Sequence, residues 1–223
     1  MTNPPAHPAL RYEHEAPLVA PHHATVLSEA VSAAVAAAGA PRRWLDTGCG
    51  PGRLVELARE RAPEAAYYLA DPAEPMLAFA RARHPALPDD RFIRAPSHAL
   101  PELEPLDVIT AVLCHHFYPS EAAHASALER CRALLRPGGA LVTVEIVRAE
   151  TDSGQALQRR RWADFQRERG RPEEAIAGLL GGEGANYFPL RASALGAALG
   201  RAGFQTVELF WRAQSLAGFI AIA

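Results

Sequence analysis

The sequence predicts an α/β fold, and three observations carry that expectation. The stretch Trp44-Leu45-Asp46-Thr47-Gly48-Cys49-Gly50-Pro51-Gly52-Arg53-Leu54 runs from apolar residues through glycines at alternate positions into a helical pattern. A second strand pattern, Ala66–Ala70, ends at an acid, Asp71, one β-α-β unit beyond Asp46. Strand-like and helix-like segments then continue to alternate to the end of the chain, as a mostly parallel sheet requires.

At 223 residues the chain is long enough for one such domain, and 49% of it is hydrophobic, enough to fill a core. No apolar run reaches the length of a bilayer span. The opening residues 1–8 show neither the basic nor the apolar segment of a signal peptide, so a cytoplasmic protein is expected. Cys49, Cys114 and Cys131 have no C-x-x-C spacing, which favours neither disulfides nor zinc, and no metal site is expected. The formal charge of −2 argues against nucleic acid as a partner. All 23 basic residues are arginine, which removes the phosphate-loop lysine and Schiff-base chemistry.

In chain order, residues 22–38 read as an alanine-rich helix closed by Gly39 and Pro41. The segment before it, Arg11-Tyr12-Glu13-His14-Glu15, is polar and aromatic and reads either as a surface tail or as a segment lying over a bound ligand. Glycines 48, 50 and 52 suit a turn that lets a ligand approach the backbone, with Asp46 offering a carboxylate to a cationic group. Arg53–Arg61 has a helical apolar face stopped by Pro63, and Met76 and Leu77 lie in a helix over Glu74–Arg83. Arg91–Ala95 reads as a third strand and Leu106–Leu113 as a strong β-branched fourth. It runs into Cys114-His115-His116-Phe117-Tyr118-Pro119, read as extended, which would point the two histidines to opposite sides. Ser120 caps a helix to Leu135. Arg136-Pro137-Gly138-Gly139 ends it, and Ala140–Val147 is the fifth strand. Residues 150–190 read as two helices, the first carrying an arginine run, either a solvated face or an anion clamp. Trp162 and Phe165 share a helical face there, for packing or for lining a pocket. A helix at 190–202 and strands at 204–212 and 216–223 close the chain.

The glycine turn misses the dinucleotide fingerprint G-x-G-x-x-G, because the sixth position from Gly48 is Arg53. Leu45–Gly52 instead resembles the first motif of class I S-adenosylmethionine (SAM) dependent methyltransferases. Leu134-Leu135-Arg136-Pro137-Gly138-Gly139-Ala140-Leu141 and Ala202-Gly203-Phe204 with two closing strands resemble later segments of the same family, in the right order. The resemblance implies one Rossmann-like domain over residues 1–223. Its sheet would be seven-stranded and mostly parallel with an antiparallel last strand, with helices on both faces. A small helical cap (150–190) would follow the fifth strand, and residues 1–21 would lie over the site.

The implied cofactor is SAM, held at the turn by Asp46, Thr47, Gly48, Cys49, Gly50 and Gly52. Asp71 would accept the ribose hydroxyls beside Pro72, with Met76 near the adenine and Leu113 also against the cofactor. The family's usual adenine-binding acid is missing: Pro96 stands there, and Ser97, His98 or a backbone carbonyl would substitute. The acceptor would be a small molecule, methylated by in-line transfer at the carboxyl ends of the strands. His115, His116 and Glu145, with Tyr12 above, are the candidates facing it, a histidine serving as general base. A carboxy-SAM synthase-like reaction and a non-catalytic SAM-binding role are the alternatives, and a monomer or homodimer is expected. The layout from Trp162 to Ile176 resembles the carboxy-SAM subfamily, but Gly178-Leu179-Leu180-Gly181 stands where its carboxylate-binding arginine belongs.

Overall fold

The structure is a computed structural model in which residues 9–223 are described. Seven strands form one sheet in the order β3-β2-β1-β4-β5-β7-β6. They are β1 (Arg43–Thr47), β2 (Ala66–Ala70), β3 (Phe92–Ile93), β4 (Leu106–Val112), β5 (Leu135–Ile146), β6 (Thr206–Ala213) and β7 (Leu216–Ile222). The first five pair in parallel, and β7 is antiparallel to both β5 and β6. The helices are α1 (Ala9–Val19), α2 (His23–Ala38), α3 (Arg53–Arg61), α4 (Glu74–Arg83), α5 (Glu121–Leu134), α6 (Asp152–Glu168), α7 (Glu173–Gly181) and α8 (Ala192–Arg201). Among the described residues no helix is long and apolar enough to cross a membrane.

The strand alternation sends neighbouring side chains to opposite faces of the sheet. Trp44, Val108 and Val142 pack on the face that receives α2 and α3, whereas Leu45, Ile109 and Leu141 pack on the face of α5 and α8. Each buried Leu, Ile or Val contributes about 1.5–3 kcal/mol, so both faces are held by burial rather than by any single contact. At the amino-terminal end of the sheet, Asp107 Oδ2 accepts the backbone N–H groups of Arg42 and Arg43, both at 2.9 Å, and Arg136 Nε donates to Oδ1 at 2.6 Å.

Four expectations are corrected. The fifth strand begins at Leu135 rather than Ala140, taking in Arg136-Pro137-Gly138-Gly139, with a register irregularity in its pairing with β4. The third strand shrinks from Arg91–Ala95 to two residues. The Ala95 N–H turns back to Ile93 O at 3.0 Å, and Pro96 has no N–H to extend the ladder. The polar segment at 11–15 is helical, inside α1, rather than a tail. The segment at 115–117 is a single 3-10 turn rather than extended chain.

Candidate active site

Parallel strands place their carboxyl ends on one edge, and the site is built there from four connections. The first is the glycine turn between β1 and α3. Gly48, Gly50 and Gly52 all have positive φ, at +64°, +52° and +80°. A Cβ at Gly48 would sit 2.3 Å from the Cys114 Cβ, so this turn and the end of β4 can pack only through a glycine. Gly48→Ala is therefore expected to destabilise the chain by about 2–5 kcal/mol, read from urea unfolding. Gly52 is locked from behind: the buried His84 ring places Nε2 2.9 Å from Gly52 O.

Two acids face this turn. Asp46 is buried and accepts a 2.6 Å hydrogen bond from the Thr110 hydroxyl, which in turn takes one from Trp44 Nε1 at 3.1 Å. Burial pushes the Asp46 carboxyl up to about 7, the Thr110 bond working against the shift and the charge of Asp71 adding to it. Asp71, at the end of β2, is raised as well by burial, and amides of Ala73 and Gly50 oppose that rise. Those amides donate to Oδ1 at 2.8 Å and Oδ2 at 2.9 Å. A carboxylate offers about four lone-pair directions, so Asp71 can still accept two hydroxyls. Neither acid has a cationic side chain bonded to it among the described residues. Two buried carboxylates with no bonded cationic side chain among the described residues suit a ligand that brings its own positive charge.

The second connection follows β4. Leu113 takes φ +57°, a strained conformation for a branched side chain, and its N–H bonds Val144 O at 2.7 Å. The chain then winds into the 3-10 turn, and Glu145 of β5 explains why. Its Oε1 accepts the His115 N–H at 3.0 Å and its Oε2 the His116 N–H at 3.1 Å, satisfying the turn's amino-terminal amides. Oε2 also meets His116 Nδ1 at 2.6 Å. Burial works against the Glu145 carboxylate, but the hydrogen bonds from the His116 ring and the His115 amide help hold it below the usual range. With Nδ1 engaged, Nε2 of His116 has no hydrogen-bond partner among the described residues. This is the arrangement of an oriented base.

His115 is held differently. Its Nε2 lies 3.0 Å from Ser97 Oγ, which lies 2.8 Å from Thr47 Oγ1. Burial lowers the ring to about 4 against the pull of Glu145, so His115 is neutral. Ser97 is buried in that network and its N–H bonds the Tyr118 hydroxyl at 3.0 Å, while His98 is exposed with its ring edge against Tyr118. Cys114, with Sγ 3.3 Å from Thr47 O, is held as a thiol by burial and by Glu145, and burial likewise raises Cys49.

The third connection is α1. A Cβ at Gly50 would lie 3.9 Å from the Tyr12 ring, so that ring covers the open side of the glycine, and Glu13 pairs with Arg83 of α4. Burial and the acids beneath raise the Tyr12 phenol above its ordinary range. A small cavity under Tyr12 is lined by His23, Asp46, Gly48 and Arg53 among others. The fourth connection is the cap. Trp162 Nε1 donates to Val19 O at 2.7 Å, tying α6 to α1, and the Phe188 N–H donates to His116 O at 2.6 Å. Met76 is buried in α4, and Pro72 sits beside Asp71.

The sequence named Asp46 and Asp71 for the cofactor and His115, His116 and Glu145 for the acceptor, and the fold gathers these residues at the carboxyl ends of the strands. It gave no notice of His84, His23 or Arg53. Thr110 did leave a signal, a polar residue inside an otherwise apolar strand.

Residues 45–139 match a family model described as a methyltransferase domain. A trans-aconitate 2-methyltransferase of Methylobacterium radiotolerans is 35% identical over 168 residues, which is 70% of this chain and 58% of that protein. A demethylmenaquinone methyltransferase of Thermus thermophilus is 39% identical over 107 residues, 48% of each chain. The chain thus spans about half the length of these curated relatives. Among solved structures, a 1,6-didemethyltoxoflavin-N1-methyltransferase of Burkholderia thailandensis with bound S-adenosylhomocysteine superposes with a TM-score of 0.64. It shares 18% identity, over 96% of this chain and 84% of that one, a likeness of fold.

Proposed function

We propose, from the premise that residues 45–139 are a methyltransferase domain of the class I SAM-dependent family, that this chain transfers a methyl group from SAM to a small-molecule acceptor. The observation that carries the reading is the pair of buried carboxylates at the glycine turn, to which no cationic side chain among the described residues is bonded, beside an oriented His116–Glu145 pair. SAM would bring the missing positive charge on its sulfonium and ammonium groups. When bound, it supplies an electrophilic methyl group whose C–S electron pair leaves with the sulfur as the acceptor bond forms.

The chain's own residues do the rest. Asp71 holds the ribose end, its carboxylate fixed by the Gly50 and Ala73 amides. Asp46 and the cavity lined by His23 and Arg53 hold the amino-acid end, with Tyr12 as its roof. His116 Nε2 accepts the acceptor's proton, and Glu145 stabilises the imidazolium through Nδ1. Alignment supplies the larger part of the rate, because the reaction is already downhill and needs its partners in line.

Asp71→Ala is expected to weaken S-adenosylhomocysteine binding about 10- to 150-fold, the equivalent of roughly 1.5–3 kcal/mol for two hydroxyls on a charged acceptor, read by calorimetry. The reading as a whole is tested by calorimetric titration with SAM, followed by transfer of labelled methyl to an acceptor panel. Absence of SAM binding rejects it.

A further inference from the structure

The inner face of the cap is aromatic. Trp162 and Phe165 of α6, Tyr187 beyond α7 and Val19 of α1 are buried together, against Phe117 and Ile146. These last two are the chain neighbours of His116 and Glu145, and the Phe117 ring stands 4.3 Å from the His116 ring. Trp162 and Tyr187 meet edge to face at 6.1 Å. The Trp162 N–H is satisfied by Val19, but the Tyr187 hydroxyl, shut off from solvent, has no hydrogen-bond partner among the described residues. A buried polar group left unpaired costs about 1–3 kcal/mol, which a ligand's polar group reaching the Tyr187 hydroxyl would recover.

Most of the cap's cations are already engaged by partners, two of them close to this face: Arg169 lies over the Phe165 ring, and Arg159 with Glu183 lies near the Tyr187 phenol. Arg148 and Arg159 both hold Glu183, at 3.0 and 2.9 Å. Arg167 pairs with Asp164 and Glu173, Arg169 stacks on Phe165, Arg171 bonds Gln166, and Arg160 and Arg161 are exposed. The Arg148 and Arg159 pair is already filled by Glu183, so among the described residues of the cap it is not free to clamp a polycarboxylate.

We propose that the methyl acceptor is an uncharged aromatic alcohol. Its ring packs on Trp162, Phe165 and Phe117, the hydroxyl to be methylated meets His116 Nε2, and a second polar group is hydrogen-bonded by Tyr187. Those rings pack on one another and on Val19, contacts that the acceptor's ring takes over. The inference rests on the methyltransferase reading and narrows its substrate class, setting it apart from the tricarboxylate named for one of the relatives.

The test uses the full chain saturated with S-adenosylhomocysteine, whose binding is first confirmed by calorimetry. Failure at that step rejects the methyltransferase reading itself. Two probes are then compared by saturation-transfer NMR and calorimetry: a naphthalenediol with its hydroxyls on opposite rings, and trans-aconitate. The naphthalenediol is expected to bind and trans-aconitate to remain silent. Tyr187→Phe is expected to weaken the naphthalenediol about 3- to 10-fold, the loss of one neutral hydrogen bond. Its S-adenosylhomocysteine affinity should be unchanged, and its melting temperature should hold or rise, because phenylalanine removes an unpaired hydroxyl. Binding of trans-aconitate, silence of the naphthalenediol, or equal naphthalenediol affinity in Tyr187→Phe would each overturn the proposal.

Discussion

His116→Asn is expected to lower kcat about a hundred- to ten-thousandfold while S-adenosylhomocysteine binds as before. Asparagine can place an amide N–H where His116 Nδ1 now donates to Glu145 at 2.6 Å, so the buried carboxylate keeps a partner. What disappears is Nε2, the atom that receives the proton. The 3-10 turn should survive, because Glu145 still accepts the main-chain amides of residues 115 and 116. Turnover at the wild-type rate would leave alignment as the whole mechanism. Loss of cofactor binding would instead show that the turn itself had been disturbed. His115→Asn serves as the comparison, since that ring is held by Ser97 and is neutral by burial.

The second large effect is a pH dependence centred on Asp46. Burial raises its carboxyl to about 7 in the folded chain, the Thr110 bond opposing and Asp71 adding. In the unfolded chain an aspartate titrates near ~3.9, so the unfolded state gives up its proton first. The sign follows: the contribution of Asp46 to stability is intact below about pH 4 and is lost as pH rises through about 7. The loss is on the order of a few kcal/mol. Asp46→Asn keeps an acceptor for Thr110 but cannot ionise, so its ligand-free form should gain on the wild type as pH rises, to a plateau above about pH 7. Denaturant unfolding at several pH values measures this directly. SAM affinity should run the other way. In the wild type it strengthens as pH rises through about 7, because a cation needs the ionised acid, and in Asp46→Asn it should be weak at every pH. A wild-type affinity flat between pH 5 and 8 would remove Asp46 from the cofactor site.

Much of this architecture is legible in the sequence where the cause is local. Glycine, proline and an apolar face set the bounds of Arg53–Arg61 and Glu74–Arg83, and the structure has both helices with those ends. Ser120 caps α5 as its type suggests, accepting the Ala123 N–H at 3.2 Å. Illegible features have distant causes. The histidine turn looks like a continuing strand until a carboxylate thirty residues later takes its amides. The third strand looks like five residues until the partner edge and Pro96 leave it only two. His84 sits at the end of a helix with nothing nearby to announce that it braces Gly52. The helix α1 carries an internal proline, Pro17, and little apolar periodicity, and its contacts lie with Gly50, Arg83 and Trp162 far along the chain. Where sequence reasoning had named single residues, the fold supplied their pairing, as between His116 and Glu145.

The central claim is that the glycine turn with Asp46 and Asp71 is a SAM site, and isothermal titration of the full chain with S-adenosylhomocysteine and SAM at pH 8 tests it most directly. The account predicts one saturable site for each ligand, weakened about 10- to 150-fold by Asp71→Ala and weakened as well by Asp46→Asn. An absence of heat from both ligands, or affinities that neither substitution changes, would contradict it.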